Sequence, residues 1–88
     1  MRLQGDFVLR QIADDIVAIP VGQTALQLNG MILLNDVSKV IWQCLEQDTD
    51  LAGILTAVTD AFEVCHSDAQ ADIQEFLAQL RNLQLLEE

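Results

Sequence analysis

Apolar positions follow a strand-like pattern in the first third of the chain and a helical period in the rest. Two runs of β-branched and apolar residues, Phe7–Ile12 and residues 16–19, are typical of strands. Asp14-Asp15 between them predicts a tight turn, so we expect an antiparallel hairpin. Pro20 should end the second strand, because proline has no N–H to donate to a sheet.

A second hairpin is predicted around Asn29-Gly30. Apolar residues lie on both sides of this dipeptide, at 26–28 and 31–34. Asn-Gly favours a two-residue hairpin loop because both loop residues must take positive φ. The run 31–34 has no polar alternation, which leaves two interpretations. It is either a central strand with apolar surface on both faces, or an edge strand kept apolar for a partner.

The spacing of apolar residues becomes helical directly after Asn35. It predicts one helix over residues 36–47 and a second over residues 50–62. Ser67 followed by Gln70 has the spacing of a capping box and predicts the start of a third helix. The expected buried stripe of this third helix consists of Ala69, Ile73, Phe76, Leu77, Leu80 and Leu83.

The length of 88 residues indicates a single domain, residues 1–88. With 51% hydrophobic residues the chain can fill a modest core, so disorder is not expected. The order of elements predicts an α+β fold, in which a small N-terminal antiparallel β-sheet is followed by three α-helices. Leu85-Leu86 at the end of the chain should fold back onto the core.

The charge balance bears on the classes of partner. Fourteen acidic residues against four basic ones give a net charge of −10, which repels phosphate backbones and anionic lipid. A small sheet with three helices is also the winged-helix arrangement of DNA-binding proteins, but the second helix has no Lys or Arg and the third has only Arg81. No apolar run approaches a membrane span, and the N-terminus lacks a signal-peptide pattern. We therefore expect a cytoplasmic protein that binds neither nucleic acid nor membrane.

No group of residues predicts catalysis, a metal site or a cofactor. Cys44 lies on the apolar face of the first helix, where a small buried hydrophobe is expected. Cys65 lies beside the only histidine, His66, but adjacent residues chelate one metal ion poorly, and no third group is in place to orient a nucleophile–base pair. The four glycines form no phosphate-binding loop. The sequence therefore favours a protein that is not an enzyme.

A recognition module is the interpretation that remains. A sheet edge beside a helix can accept an extended peptide as one more strand, with main-chain hydrogen bonds for affinity and side-chain pockets for selectivity. The alternative is a structural or adaptor domain that serves protein–protein contact or self-association. An unpaired strand could also join a second copy of itself into a homodimer.

Six short motifs in a fixed order resemble the PqqD family, whose namesake is coenzyme PQQ synthesis protein D. The resemblance covers residues 7–86. The motifs are Leu33-Leu34-Asn35, Val40-Ile41-Trp42, Thr49, Phe62-Glu63-Val64, the segment 72–80 with Asp72, Ile73, Phe76, Leu77 and Leu80, and Leu85-Leu86.

The resemblance implies a winged helix-turn-helix-like domain that binds precursor peptides. Family members capture the leader of a ribosomally made peptide and present it to a modifying enzyme, often a radical S-adenosylmethionine enzyme, as in PQQ biosynthesis. The leader adds to the third strand of the sheet and lies against the third helix. Carried over to this chain, the implied strand positions are Met31, Ile32, Leu33 and Leu34, and the implied helix positions are Asp72, Phe76 and Gln79.

The chain departs from the family pattern at two positions. Gln84 stands where the family usually has glycine, and Gly53 stands where an acidic residue is common. The strand expected at residues 26–28 adds a constraint, because it would pair one edge of 31–34 and leave a peptide only the other edge. If the first hairpin occupied that edge, the groove would not exist.

Overall fold

The computed structural model describes all residues from Met1 to Glu88 and has an α+β fold with four helices. The strands are β1 (Arg2–Leu3), β2 (Phe7–Ile12), β3 (Asp15–Pro20), β4 (Ile32–Leu34) and β5 (Leu86–Glu87). The helices are α1 (Gln23–Gln27), α2 (Asp36–Leu45), α3 (Leu51–Ala61) and α4 (His66–Asn82). The predicted fold class is confirmed, and the three predicted helices are α2, α3 and α4.

The first hairpin forms as predicted, with its loop shifted by one residue. Ile12 lies opposite Asp15, so the loop residues are Ala13 and Asp14. Ala13 has a φ of 56°, a left-handed conformation that two-residue hairpin loops demand of their first residue. β3 ends at Pro20, as expected.

The second predicted hairpin is wrong. Residues 23–27 form the short helix α1, and β4 pairs with β3, with Ile16 opposite Leu34. Met31 lies outside the strand, and only Gly30 of the Asn-Gly pair has positive φ (105°). Pairing with β3 buries the Leu34 side chain to 4% exposure in the core. We attribute the difference to this burial, since tertiary packing commonly outweighs a local turn preference.

α1 is tied to the other end of the sheet. Thr24 is buried, and its Oγ1 accepts a hydrogen bond from the Asp6 backbone N–H at 2.8 Å. Residues 26–28 therefore do not pair with β4, whose one strand neighbour is β3, and the three-stranded sheet has the order β2-β3-β4. β4 is an edge strand.

The core lies between the inner face of this sheet and the three long helices. Its buried apolar side chains are Ala18, Leu34, Ile41, Trp42, Leu45, Ile54, Val58, Ala69, Ile73, Phe76, Leu77, Leu80 and Leu85. Leu83 was predicted to be buried but is 44% exposed, because α4 ends at the preceding residue. Cys44 is half-buried, and this burial raises the pKa of its thiol. No helix combines the length and apolar character needed to cross a membrane.

The helix starts differ in how they are capped. Asp50 caps α3 by accepting a hydrogen bond from the Gly53 N–H at 2.8 Å. A side chain at position 53 would require the Thr49 side chain to shift, because a Cβ there would lie 2.8 Å from Thr49 Oγ1. The predicted capping box at Ser67 is wrong. α4 starts at His66, because the Ala69 N–H bonds to the Cys65 carbonyl at 3.0 Å, and no side chain caps it.

The two chain ends meet in a second sheet. β1 and β5 pair antiparallel, with Arg2 opposite Glu87. Leu85 is buried and Leu86 is half-buried, so the predicted return of the chain end onto the core is confirmed.

Candidate functional site

One edge of β4 has no neighbouring strand in the chain. The sheet order places β3 on one side of β4 and nothing on the other. The strand predicted at 26–28 would have occupied an edge, and its absence leaves the outer edge open. An open edge presents backbone N–H and C=O groups that another strand can bind.

The hydrogen-bonding phase of the sheet identifies which groups point outwards. The Val21 N–H donates to the Asp6 carbonyl at 3.0 Å, in continuation of the β2–β3 register. Hydrogen-bonded and non-hydrogen-bonded pairs alternate along an antiparallel ladder. The Asp6–Val21 pair is hydrogen-bonded, and Arg10–Val17 lies four pairs further along the ladder, so it is hydrogen-bonded too. The N–H and C=O of Val17 therefore point to β2 and away from β4. Leu33, which lies opposite Val17, therefore directs both of its backbone polar groups towards the open edge.

The side chains around this edge divide between the core and the surface. Leu34 is 4% exposed and Ile32 is half-buried, so both belong to the inner face of the sheet. Leu33 is 66% exposed and Met31 is 59% exposed. Of the four positions singled out by the resemblance, two support the strand and two present apolar side chains at the surface.

A groove of about 210 Å³ lies directly beyond β4, between the start of α2 and the middle of α4. Its lining residues are Asn35, Val37, Ser38, Ile41, Asp72, Glu75 and Phe76. Asp72 and Phe76 therefore share one groove with the residue that follows β4. Gln79 is exposed one turn further along the same face of α4 and does not line the groove.

Sequence reasoning missed Glu75 and the residues contributed by α2. The helical period contained a signal for Glu75, because a residue three positions after Asp72 lies on the same helix face. No local pattern could have assigned Val37 and Ile41 to the groove, since only the packing of α2 against α4 brings them there.

The start of α2 is fixed by a reciprocal capping box. Asn35 Oδ1 accepts from the Ser38 N–H, and Ser38 Oγ accepts from the Asn35 N–H, both at 2.8 Å. The Asn35 carbonyl accepts from the Lys39 N–H at 2.9 Å. Because the polar groups of Asn35 are used in this way, Leu33 is the last residue of the edge with a free N–H and C=O.

The groove has an apolar floor and an acidic rim. Phe76 and Ile41 are 7% and 1% exposed, whereas Asp72 and Glu75 are exposed. The ion pairs of the structure lie elsewhere, as Met1–Asp48, Arg2–Glu87 and Arg81–Glu88, so neither rim carboxylate is neutralised by a salt bridge.

The largest cavity of the molecule is a different one. It measures about 660 Å³ and lies between the β1–β2 region and α2, with Phe7 and Trp42 in its lining. It contains no residue of β4 or α4.

No group of three or more His, Cys, Asp or Glu side chains is arranged to hold a metal ion. The arrangement at β4 is suited to binding an extended chain.

One solved structure and one family model are similar to this chain. Curated protein sequences give no match. A solved structure described as "TbiB1 in Complex with the TbiA(beta) Leader Peptide" is similar to this chain, with a TM-score of 0.73 and 25% sequence identity. The similarity covers 99% of this chain and 95% of that one. The family model for coenzyme PQQ synthesis protein D (PqqD) matches residues 20–86. This match spans most of the sequence, and the chain therefore belongs to the PqqD family.

Proposed function

We propose that this protein is a noncatalytic recognition element that captures the leader of a ribosomally made precursor peptide and presents it to a modifying enzyme. The observation that carries the proposal is the open edge of β4, where the Leu33 N–H and C=O have no partner strand. The bound leader would add to the sheet as a fourth strand beyond β4.

The geometry of strand addition explains how affinity and selectivity would arise. A peptide strand opposite Leu33 would exchange two backbone hydrogen bonds with it, each worth about 0.5–1.5 kcal/mol net. Alternate peptide side chains would point to the inner side of the sheet, where the groove over Ile41 and Phe76 begins. Main-chain bonds thus supply general affinity, and the groove selects among sequences.

We assign the residues distinct roles in this complex. Ile32 and Leu34 hold β4 against β3 and the core, so they position the edge without contacting the peptide backbone through hydrogen bonds. Leu33 binds the peptide backbone, and Met31 offers an apolar side chain beside it. The helix wall comes from Asp72 and Phe76 in the groove, with Gln79 beyond it.

Two comparisons support the proposal. The family match covers residues 20–86, which include β4 and all four helices. The similar solved structure is a complex with a leader peptide. We extend the proposal to a modifying enzyme of the radical S-adenosylmethionine class as the recipient of the peptide, in PQQ biosynthesis or a related pathway.

A second candidate is self-association through the same edge. Two copies could pair their β4 strands antiparallel, which is a common use of an open edge. The net charge of −10 opposes this, because the contact would bring two strongly negative chains together.

The test uses synthetic leaders from short open reading frames beside the gene, titrated into the labelled protein while amide shifts are recorded. We expect shifts at Leu33 and along the Asp72–Gln79 face of α4. Leu33→Pro should weaken binding about tenfold, since it removes an N–H that is not used within the chain and adds a bulky ring at the edge. Leu33→Ala, the matched control, keeps the N–H and should cost only about twofold to threefold.

The outcome separates the two candidates. Equal binding by Leu33→Pro and Leu33→Ala would contradict strand addition. A concentration-dependent dimer that Leu33→Pro abolishes, without any peptide-induced shift, would favour self-association. Circular dichroism of Leu33→Pro shows whether the fold is retained.

A further inference from the structure

We infer that the peptide segment bound along β4 carries basic residues at the end that lies near Asn35 and uncharged, apolar residues at the end near Met31. This inference rests on the proposed function and names the chemistry of its ligand. It follows from an uneven distribution of charge along the open edge.

The end of β4 near Asn35 is surrounded by carboxylates. The groove on the α4 side has Asp72 and Glu75 in its rim. A second depression, of about 410 Å³, lies on the hairpin side of the same strand end and has Leu33, Leu34 and Asn35 in its lining. The carboxylates of this depression are Asp14, Asp15 and Asp36. A peptide that continues from the open edge past Asn35 therefore meets the Asp72 and Glu75 side chains, with the carboxylates of the second depression across the strand end.

No basic group of the protein forms a salt bridge with these carboxylates. Arg2 and Arg81 are paired with Glu87 and Glu88 at the chain termini. Arg10 and Lys39, the remaining two basic side chains, line neither depression. These carboxylates are therefore available to pair with basic residues of the ligand.

The N-terminus of α2 is the one feature here that favours an anion, and it is already occupied. The Ser38 N–H donates to Asn35 Oδ1, and Asp36 lies in the first turn, where it interacts with the positive end of the helix dipole. An acidic peptide residue would compete with both groups and meet the neighbouring carboxylates.

The chain segment that forms the opposite end of the edge carries no charge. Residues 16–35 contain no Asp, Glu, Lys or Arg. Met31, directly before β4, is 59% exposed, so an apolar side chain lies at the surface where β4 begins. Apolar peptide residues would remove this surface from water, whereas a basic residue would find no carboxylate within residues 16–35.

The experiment selects binders from a phage-displayed library of random 12-residue peptides on the full chain, in parallel with three variants. These are Leu33→Pro, the groove variant Asp72→Asn/Glu75→Gln, and the control Asp60→Asn/Glu63→Gln. The control removes the same two charges from exposed positions that line neither depression. Affinities of the selected peptides are then measured at low and high salt.

We expect peptides with Lys or Arg confined to one end and apolar residues at the other. The groove variant should bind them roughly fivefold more weakly, as expected for the loss of two exposed ion pairs, and with a smaller salt dependence. The control variant should bind them as tightly as the unmodified chain.

Two results would overturn the inference in distinguishable ways. Peptides that need the Leu33 N–H but show no basic end, or lose equal affinity in the groove and control variants, would refute the charge pattern and leave strand addition standing. Binders that are indifferent to Leu33→Pro would refute the proposed function, and the charge pattern with it.

Discussion

The rings of Phe7 and Trp42 meet edge to face, with their centroids 5.0 Å apart and their planes at 88°. Phe7 begins β2, and Trp42 is 2% exposed in α2. The contact therefore joins the far edge of the three-stranded sheet to the helix that follows β4. Edge-to-face pairs of this kind add about 0.5–1.5 kcal/mol beyond the area they bury.

The first prediction is a coupling between these two residues. Phe7→Leu and Trp42→Leu should each lower the free energy of unfolding, the tryptophan change by about 3 kcal/mol because Trp42 is buried in the core. In a double-mutant cycle measured by urea denaturation we expect a coupling energy of about 1 kcal/mol. Strictly additive losses would mean that the ring contact contributes only its buried area.

The second prediction concerns the capping box between β4 and α2. Asn35→Ala removes the acceptor for the Ser38 N–H and should destabilise the protein by about 1–2 kcal/mol. Asn35→Asp keeps an acceptor in place and should retain most of the stability. Thermal unfolding of both variants gives the comparison, and equal losses would show that the acceptor oxygen is not what stabilises the helix start.

The third prediction concerns Gln84, the position where the family usually has glycine. Gln84 has a φ of 59° and ends α4 in a Schellman motif. In this motif the Leu85 N–H donates to the Leu80 carbonyl at 2.9 Å. The Gln84 N–H donates to the Arg81 carbonyl, also at 2.9 Å. Gln84→Gly should raise the free energy of unfolding by about 1 kcal/mol, because glycine adopts this conformation without strain. Gln84→Ala is the control and should give no such gain. A destabilised glycine variant would contradict this account.

The fourth prediction concerns the carboxylate of Glu88. A hydrogen bond from Arg81 lowers the pKa of Glu88 below its ordinary value. Because the pKa is lower in the folded than in the unfolded state, the pair contributes to stability above the unfolded-state pKa. That contribution is lost as the pH falls through the folded-state pKa. Both side chains are exposed, so the effect on unfolding is small, and NMR titration of the carboxyl carbon is the suitable measurement. Arg81→Gln should return the Glu88 pKa to its ordinary range; an unchanged titration would exclude the pairing in solution.

The long helices could be predicted because their signals are local. The periodic apolar residues of α2, α3 and α4 each define a face without reference to the rest of the chain. The caps were less predictable. Asp50 caps α3, whereas the predicted Ser67–Gln70 capping box lies inside α4, because a capping pattern does not fix the residue at which packing lets a helix begin.

The strand β4 shows where local signals end. A strand was predicted at residues 31–34, and residues 32–34 of it form β4, but the Asn-Gly turn predicted the wrong partner. Strand pairing is decided by which neighbour buries the inner face, and that neighbour is β3. Met31 consequently lies outside the strand, and the helix α1 forms where a strand was expected at residues 26–28.

The sequence by itself determined the α+β class, the three long helices, the charge of −10 and the family resemblance, because composition, periodicity and motif order are properties of the chain read in one dimension. Only the tertiary structure decided that the outer edge of β4 is open, that Leu33 directs its N–H and C=O towards it, and that α2 and α4 enclose a groove at its end. These features depend on contacts between segments far apart in the sequence, and the free energy of burying the shared core selects among the pairings that local preferences allow.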